Sequence, residues 1–328
     1  MRAGLTLPNR ADSLYTDAEI AALDDLAPGA LVALTYGESA SETQHRDVVR
    51  AYCRAHPETR VMLRMYSGTE WSTDPAAWAA TCAARLLFWS SGVWPARPEV
   101  IPANEGNIES PWVAQWTRQV QWLSAFAQAW RALAKGTFTL HLPALSPNGD
   151  WRDGLAAYRV AGLFATFGEV DVHAYGPDAV GVVSDAYEIV GRPVCVTEFN
   201  RDDPGPFLTE IAGVASAGCY FLLGGTADQE QYDVLRRPDD YQSLKRWTMA
   251  SNPTESASVA RSKIYAIWSL QVIAEGKDPL DKAAFAANVA ALGGDPTDLR
   301  PWGFPDQQTL SDQIIAKIKE LKALIGQV

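Results

Sequence analysis

Four short stretches carry side chains able to move a proton or hold a charge: VMLRMYSG with Arg64 and Tyr66, VIPANEGNIE with Asn104 and Glu105, VDVHAYG with His173 and Tyr175, and VCVTEFN with Glu198. Each closes an apolar, β-rich run, where a buried strand gives way to a turn. Two carboxylates set opposite one another divide a reaction between them. One holds a proton and passes it to a leaving oxygen; the other stays ionised and attacks carbon or activates water. The acid needs burial or a neighbouring anion to keep its proton, and the ionised partner needs hydrogen-bond donors. A further run ends in Tyr36 and Glu38.

Such residues need a frame that brings them together. Eight strand candidates can be read, at Arg2–Leu7, Ala30–Tyr36, Arg60–Tyr66, Glu99–Asn104, Thr137–Leu142, Glu169–Ala174, Pro193–Thr197 and Cys219–Leu223, with helical patterns between them. Strands alternating with helices imply a parallel sheet with helical crossovers. Thr16–Glu19 reads as a capping box, and Ser41–Gln44 repeats it; Asp74-Pro75 and Ser110-Pro111 each place a cap before a proline at the first helical position. Gly136, Gly191 and Gly218 are expected as left-handed helix C-caps ahead of strands. An eighth helix is expected from Asp239 to about Met249. Eight repeats in about 250 residues predict a (β/α)8 TIM barrel. A doubly wound sheet would want a glycine-rich turn after its first strand, and LPNRADS has none. In a parallel barrel the chemistry belongs at the C-terminal strand ends, and strands four and seven, which carry Glu105 and Glu198, face each other across the mouth.

With these residues in place, the chain resembles the clan A glycoside hydrolases, retaining enzymes on a (β/α)8 barrel, over about residues 1–250. The resemblance rests on Asn104-Glu105 ending strand four, His173-x-Tyr175 ending strand six and Glu198 ending strand seven. It implies a glycoside hydrolase that cleaves a β-glycosidic bond in an oligo- or polysaccharide by double displacement. Glu105 is then the acid/base and Glu198 the nucleophile. Asn104 bonds the sugar 2-hydroxyl, Tyr175 orients Glu198, and His173 sits between the two carboxylates. Two features depart from the family. Its strand-eight tryptophan is replaced by CYFLLGGT, with Gly224-Gly225, and the arginine beneath the nucleophile has its nearest counterpart in Arg64, on strand three rather than strand two.

The chain has 328 residues, 47% hydrophobic, with 12 tryptophans and a formal net charge of −11. The acidity argues against nucleic acid or an anionic membrane as partner and suits a neutral carbohydrate. Sugars stack on indole rings, so Trp71, Trp112 and Trp151, each after a strand, are candidate subsites, together with Tyr36, Tyr66 and Arg64. The four cysteines, Cys53, Cys82, Cys195 and Cys219, form no CxxC pair and read as buried free thiols. The scheme needs no cofactor and no metal. A metal-dependent rival would use Glu105, His141, His173 and Glu198 on four consecutive strands, against the absence of HxH or HExxH spacing. A non-catalytic carbohydrate-binding or structural barrel, phage- or cell-wall-associated, is the other rival.

The N-terminus shows no secretory apolar stretch, which leaves a cytoplasmic or lysis-released protein or a trimmed mature form. Residues 1–251 are read as the barrel. Residues 252–328 are read as a helical extension for docking or for homo-oligomerisation, with Leu310, Ile314 and Leu321 on one stripe of its last helix.

Overall fold

A computed structural model describes residues 1–7, 14–37, 39–90, 98–134, 138–224, 229–251, 282–291 and 297. The chain divides into two compact units, Met1–Asn252 and Pro253–Val328. In the second, the described element is a helix, Lys282–Ala291. The helix expected to carry Leu310, Ile314 and Leu321 lies outside the described residues, as do Glu38, Gly136 and Gly225.

The first unit is a (β/α)8 barrel. Its strands are β1 (Arg2–Thr6), β2 (Ala30–Thr35), β3 (Arg60–Met65), β4 (Glu99–Ile101), β5 (His141–Leu145), β6 (Glu169–Ala174), β7 (Val194–Phe199) and β8 (Ala215–Phe221). They pair in the order β4-β3-β2-β1-β8-β7-β6-β5, all parallel in the registers that link them, and a parallel bridge between Val100 and Leu140 joins the two ends. Helices α1 (Asp17–Leu26), α2 (Ala40–Ala55), α3 (Pro75–Ser90) and α4 (Trp116–Ala134) cross between successive strands of the first half. They are followed by α5 (Trp151–Val160), α6 (Leu163–Thr166), α7 (Ala179–Val190), α8 (Pro204–Ile211) and α9 (Pro238–Ser251).

Side-chain alternation sorts the strands into two faces. In β3, Val61, Leu63 and Met65 join the apolar layer shared with the helices, whereas Met62 belongs to a separate small cluster with Ala30, Val32, Ile101, Cys195, Ala217 and Cys219. That second cluster fills the barrel interior. Arg60 and Arg64 share the face of Met62, and Asp171 and His173 alternate with Val170, Val172 and Ala174 of the outer layer, so the barrel interior holds charges above and below an apolar plug.

Several local signals fold as read. Thr16 and Glu19 form a reciprocal capping box at α1, and Asp74 Oδ1 accepts the N–H groups of Ala76 and Ala77, both at 3.0 Å, ahead of α3. Others shift. The cap of α2 is Ser39, whose hydroxyl takes the Glu42 N–H at 3.0 Å; Glu42 turns inward to accept from the Trp89 indole at 2.7 Å. After Ser110-Pro111 the helix waits until Trp116, because Gln119 Nε2 ties Gly106 O at 2.9 Å and Trp112 O at 3.0 Å and holds residues 106–115 as a packed loop. Gly218 is not a cap but lies inside β8, where a Cβ would meet Leu208 at 2.8 Å. β5 begins at His141 rather than Thr137, which places His141 at the base of the barrel.

The base is held by ions. Arg60 Nε and Nη2 donate to Glu99 at 3.0 and 2.5 Å, and Arg60 also reaches Glu169 at 3.7 Å. His141 donates from Nε2 to Glu99 at 2.7 Å and from Nδ1 to Asp171 at 2.6 Å. Burial alone would lower the His141 pKa, but the Asp171 and Glu99 carboxylates overcome it and raise it from 6.5 to about 9. Burial would raise Glu99, yet His141 and Arg60 hold it down, from 4.5 to about 2. The raised histidine stabilises the fold fully below pH 6.5 and ceases to do so as pH climbs through about 9. The depressed Glu99 stabilises it fully above pH 4.5 and ceases to as pH falls toward about 2. The network should therefore stabilise most between pH 4.5 and 6.5. Thermal unfolding across pH checks this: the wild type is expected to lose stability on the alkaline side, and His141→Gln to cost ~3–5 kcal/mol near pH 6 and to flatten that alkaline slope. Equal slopes in the two proteins would show that another group titrates.

Candidate active site

Strand parity alone would send Glu198 outward. Val194 and Val196 face the helices and Cys195 faces the barrel interior, so the next even position should join the valines. The pairing of β6 with β7 prevents this. Val172 pairs with Val196 but His173 pairs with Glu198, so β7 carries one extra residue, Thr197, at a bulge. A bulge re-aims the side chain that follows it. Glu198 thereby turns to the mouth, beside His173, at 7% exposure.

There Glu198 is clamped by donors. Arg64 Nη1, from β3 across the barrel, donates to Oε1, and the Tyr175 hydroxyl donates to Oε2. Burial would raise the Glu198 pKa; the Arg64 charge first, then the bonds from Arg64 and Tyr175, hold it down, at about 2. Burial and the Glu198 charge in turn raise Tyr175 well above the usual phenol range. The carboxylate is ionised and the phenol protonated throughout the physiological range.

His173 joins this anion to Glu105. Its Nδ1 stands 2.7 Å from Glu105 Oε1 and 3.7 Å from Glu198 Oε2. Arg64 Nη2 lies 3.3 Å from His173 Nε2. A guanidinium only donates, so Nε2 accepts, and the imidazole proton sits on Nδ1, where it is given to Glu105. The facing oxygens of Glu105 and Glu198 therefore lie no farther apart than the sum of those two Nδ1 distances.

Asn104 and Glu105 stand just beyond β4, in a loop pinned from three sides. The Trp71 indole donates to Asn104 O at 2.9 Å, Asn104 Nδ2 donates to Glu109 Oε1 at 2.6 Å, and Gly106 presses so close to Trp71 that a Cβ would meet the ring at 2.8 Å. The backbone approach explains why a glycine follows the carboxylate.

The structure thus gathers Arg64, Asn104, Glu105, His173, Tyr175 and Glu198. Tyr36 and Tyr66 join them at the rim as an edge-to-face pair with centroids 5.4 Å apart, both half-buried. Two of the tryptophans need correction. Trp71 and Trp151 are each 2% exposed and packed in the core, so no sugar can stack on them. Trp112 packs one side against the same core and keeps part of its ring at the surface. The aromatic that sequence reading missed is Phe221, which ends β8, is half-buried, and meets Tyr175 edge-on at 6.5 Å. It stands where the family tryptophan was sought, and its signal was its place at the strand end, ahead of the glycines. Glu70 and Glu109 were also missed.

The set Glu105, His141, His173 and Glu198 does not form. His141 sits at the strand N-termini with Glu99 and Asp171, while the other three meet at the C-terminal ends. Among the described residues, His141, Asp171 and Cys195 bring ligand atoms within 4.8 Å of one another. Both His141 nitrogens face carboxylates that only accept, so both carry protons and neither offers a lone pair to a metal. The four cysteines are free and buried.

No protein-family model matches the chain, and no curated protein matches it. Solved structures do. The GH39 enzyme from Xanthomonas axonopodis pv. citri superposes with a TM-score of 0.53 at 14% identity over 74% of this chain. The GH39 β-xylosidase from Caulobacter crescentus gives 0.53 at 15% over 74%, and the Thermomonospora fusca β-mannanase 0.54 at 16% over 71%. The match spans 65%, 70% and 82% of those chains, so it falls just short of two thirds of the first. At these identities the shared property is the barrel fold.

The clamp on Glu198 can be tested without a substrate. In ¹³C-carboxyl NMR, Tyr175→Phe should raise the Glu198 titration above its starting point of about 2, and Arg64→Met should raise it further. Arg64→Met should also cost ~3–5 kcal/mol of stability, because it strands a buried carboxylate. A titration unmoved in both variants would mean that these donors do not set its charge.

Proposed function

We propose that this chain is a retaining glycoside hydrolase, cleaving a β-glycosidic bond of an oligo- or polysaccharide by double displacement. The observation that carries the reading is an ionised, donor-clamped Glu198 coupled through one imidazole to Glu105. His173 Nδ1–H occupies Glu105 Oε1, so the acid proton belongs on Oε2, the oxygen left to reach the leaving group. Glu105 gives that proton to the glycosidic oxygen as Glu198 attacks the anomeric carbon, forming a glycosyl ester and releasing the first product. Esterification removes the negative charge of Glu198; Glu105, now ionised, takes a proton from water, and the water oxygen displaces Glu198.

One nitrogen in contact with both carboxylates keeps them close together, which is compatible with the retaining arrangement. The partly exposed aromatics offered to a sugar ring are Phe221, Tyr36, Tyr66 and Trp112, without Trp71 and Trp151. The fold shared with named glycosidases agrees with this reading, as does the acceptor-rich mouth.

Hydrolysis of a panel of aryl β-glycosides and β-glycans tests it. Glu105→Ala and Glu198→Ala should each lose ~10²–10⁴-fold in rate or more. Azide should restore Glu198→Ala to give the inverted glycosyl azide and Glu105→Ala to give the retained one. Variants as active as wild type would remove these residues from the mechanism. A wild type that cleaves nothing across the panel while binding glycans would favour the non-catalytic carbohydrate-binding barrel.

A further inference from the structure

Arg85 lies on α3, half-buried, and its guanidinium runs to the C-terminal ends of β2 and β3. Nη1 donates to Thr35 O and to Tyr66 O, both at 2.7 Å. A terminal guanidinium nitrogen carries two hydrogens, one for each carbonyl. The last rung between the two strands is the bond from the Tyr66 N–H to Thr35 O at 3.1 Å. Arg85 takes the place of the rung beyond it. On the β2 side the next N–H, that of Tyr36, is accepted by Glu42 Oε2 at 3.4 Å. Side chains from two helices thus satisfy the backbone at the point where Tyr36 and Tyr66 leave the sheet. Arg85 is itself held in place. It lies over the Trp78 ring, 5.2 Å from the centroid, and Trp78, 3% exposed, donates to Pro102 O at 2.6 Å just after β4.

The two tyrosines are what this clamp holds. They meet edge to face, and among the described residues neither hydroxyl has a hydrogen-bond partner or is enclosed. A phenol packed into a core usually finds a partner for its hydroxyl; these two keep theirs for the mouth. The angle between the rings depends on where each Cα–Cβ bond starts, so a shift of either strand end swings one ring against the other. Neither carbonyl can move without straining the bond that the same nitrogen gives to the other strand. We propose that Arg85 is a positioning residue for the sugar-binding rim. By tying the ends of β2 and β3 to one nitrogen it fixes the angle between Tyr36 and Tyr66, and with it the surface they offer to a sugar ring. It acts through the two tyrosines and touches no substrate. This rests on the reading that the mouth receives a sugar at these rings.

The test uses the whole chain and two readouts that a loss of stability alone would not move, both taken well below the thermal midpoint. The first is the mutual ring-current shift of the Tyr36 and Tyr66 ring protons in NMR, assigned with Tyr36→Phe and Tyr66→Phe. It should collapse in Arg85→Met and survive in part in Arg85→Lys, which keeps a donor; should Arg85→Met not fold, Arg85→Lys carries the comparison. The second is affinity for xylotriose, mannotriose and laminaritriose by NMR titration, with KM and kcat on the nitrophenyl β-glycosides of the same trisaccharides. For whichever sugar the wild type takes, Arg85→Met should weaken binding and raise KM about tenfold. Arg85→Lys should do so by less, and kcat should hold, because Glu105, His173 and Glu198 are untouched. Once both tyrosines are replaced by alanine, the Arg85 substitutions should change affinity no further. An unmoved ring-current shift, a loss that falls on kcat alone, or a loss undiminished without the tyrosines overturns the inference. A wild type that binds a trisaccharide in an Arg85-dependent way but cleaves none of the glycosides would defeat the hydrolase reading and leave the assignment of Arg85 standing. A wild type that binds none defeats both.

Discussion

The ion pair between Arg64 and Glu198 is the constraint around which the mouth of the barrel is arranged. A carboxylate this buried is costly unless donors surround it, and a guanidinium 3% exposed in its side chain is equally costly alone. Neither is tolerable without the other, so β3 and β7, on opposite sides of the barrel, must present them at one height. What remains of each group is then assigned. Tyr175 takes the second oxygen of Glu198, and the second Arg64 nitrogen turns to His173. The orientation of His173 follows from that contact, and its bond to Glu105 follows in turn.

The alternation of strands with helices, the capping box at Thr16, the proline-led start of α3 and the carboxylates at the ends of strands four and seven were legible in the residues themselves. They depend on local propensity and on period, which a linear sequence displays. The inward aim of Glu198 was not legible. It depends on one extra residue in β7, and nothing in VCVTEFN distinguishes a bulge from a regular strand whose parity would carry Glu198 to the helices. The start of β5 was misplaced for the same kind of reason: TFTLHLPAL is apolar on both sides of His141, and tertiary pairing with β6 decides where the strand begins.

Trp71 and Trp151 failed differently. An indole after a strand is as ready to pack as to stack on a sugar, and the choice rests on where the loop goes. Trp71 lies over the Gly106 backbone and under Trp122, with centroids 4.9 Å apart, and it acts on the mouth by fixing the Asn104 carbonyl. Gln119 performs the same service farther along, where its amide gathers Gly106 and Trp112 and its oxygen accepts from Tyr158 at 2.7 Å. These long-range hydrogen bonds turn an expected helical start into a rigid loop, and that loop is what presents Glu105 and Glu109.

The barrel thus contains two histidine–carboxylate clusters of similar composition and opposite consequence. At the base, both nitrogens of His141 point at carboxylates, which requires both protons and leaves a cation with no hydrogen to exchange without breaking the network. At the mouth, one nitrogen of His173 points at an arginine, which forbids a proton there and leaves a single one, on the side of Glu105 and within reach of Glu198. Replacing one carboxylate by a guanidinium converts a structural clamp into a proton-bearing bridge between two acids. That exchange also explains why chemistry belongs to one end of the interior only. Strands β3 and β6 contribute to both clusters, β5 supplies His141 to the base alone and β7 supplies Glu198 to the mouth alone; the apolar plug of Met62, Ile101 and Cys195 separates them, and the position of Arg64 decides which imidazole keeps a lone pair.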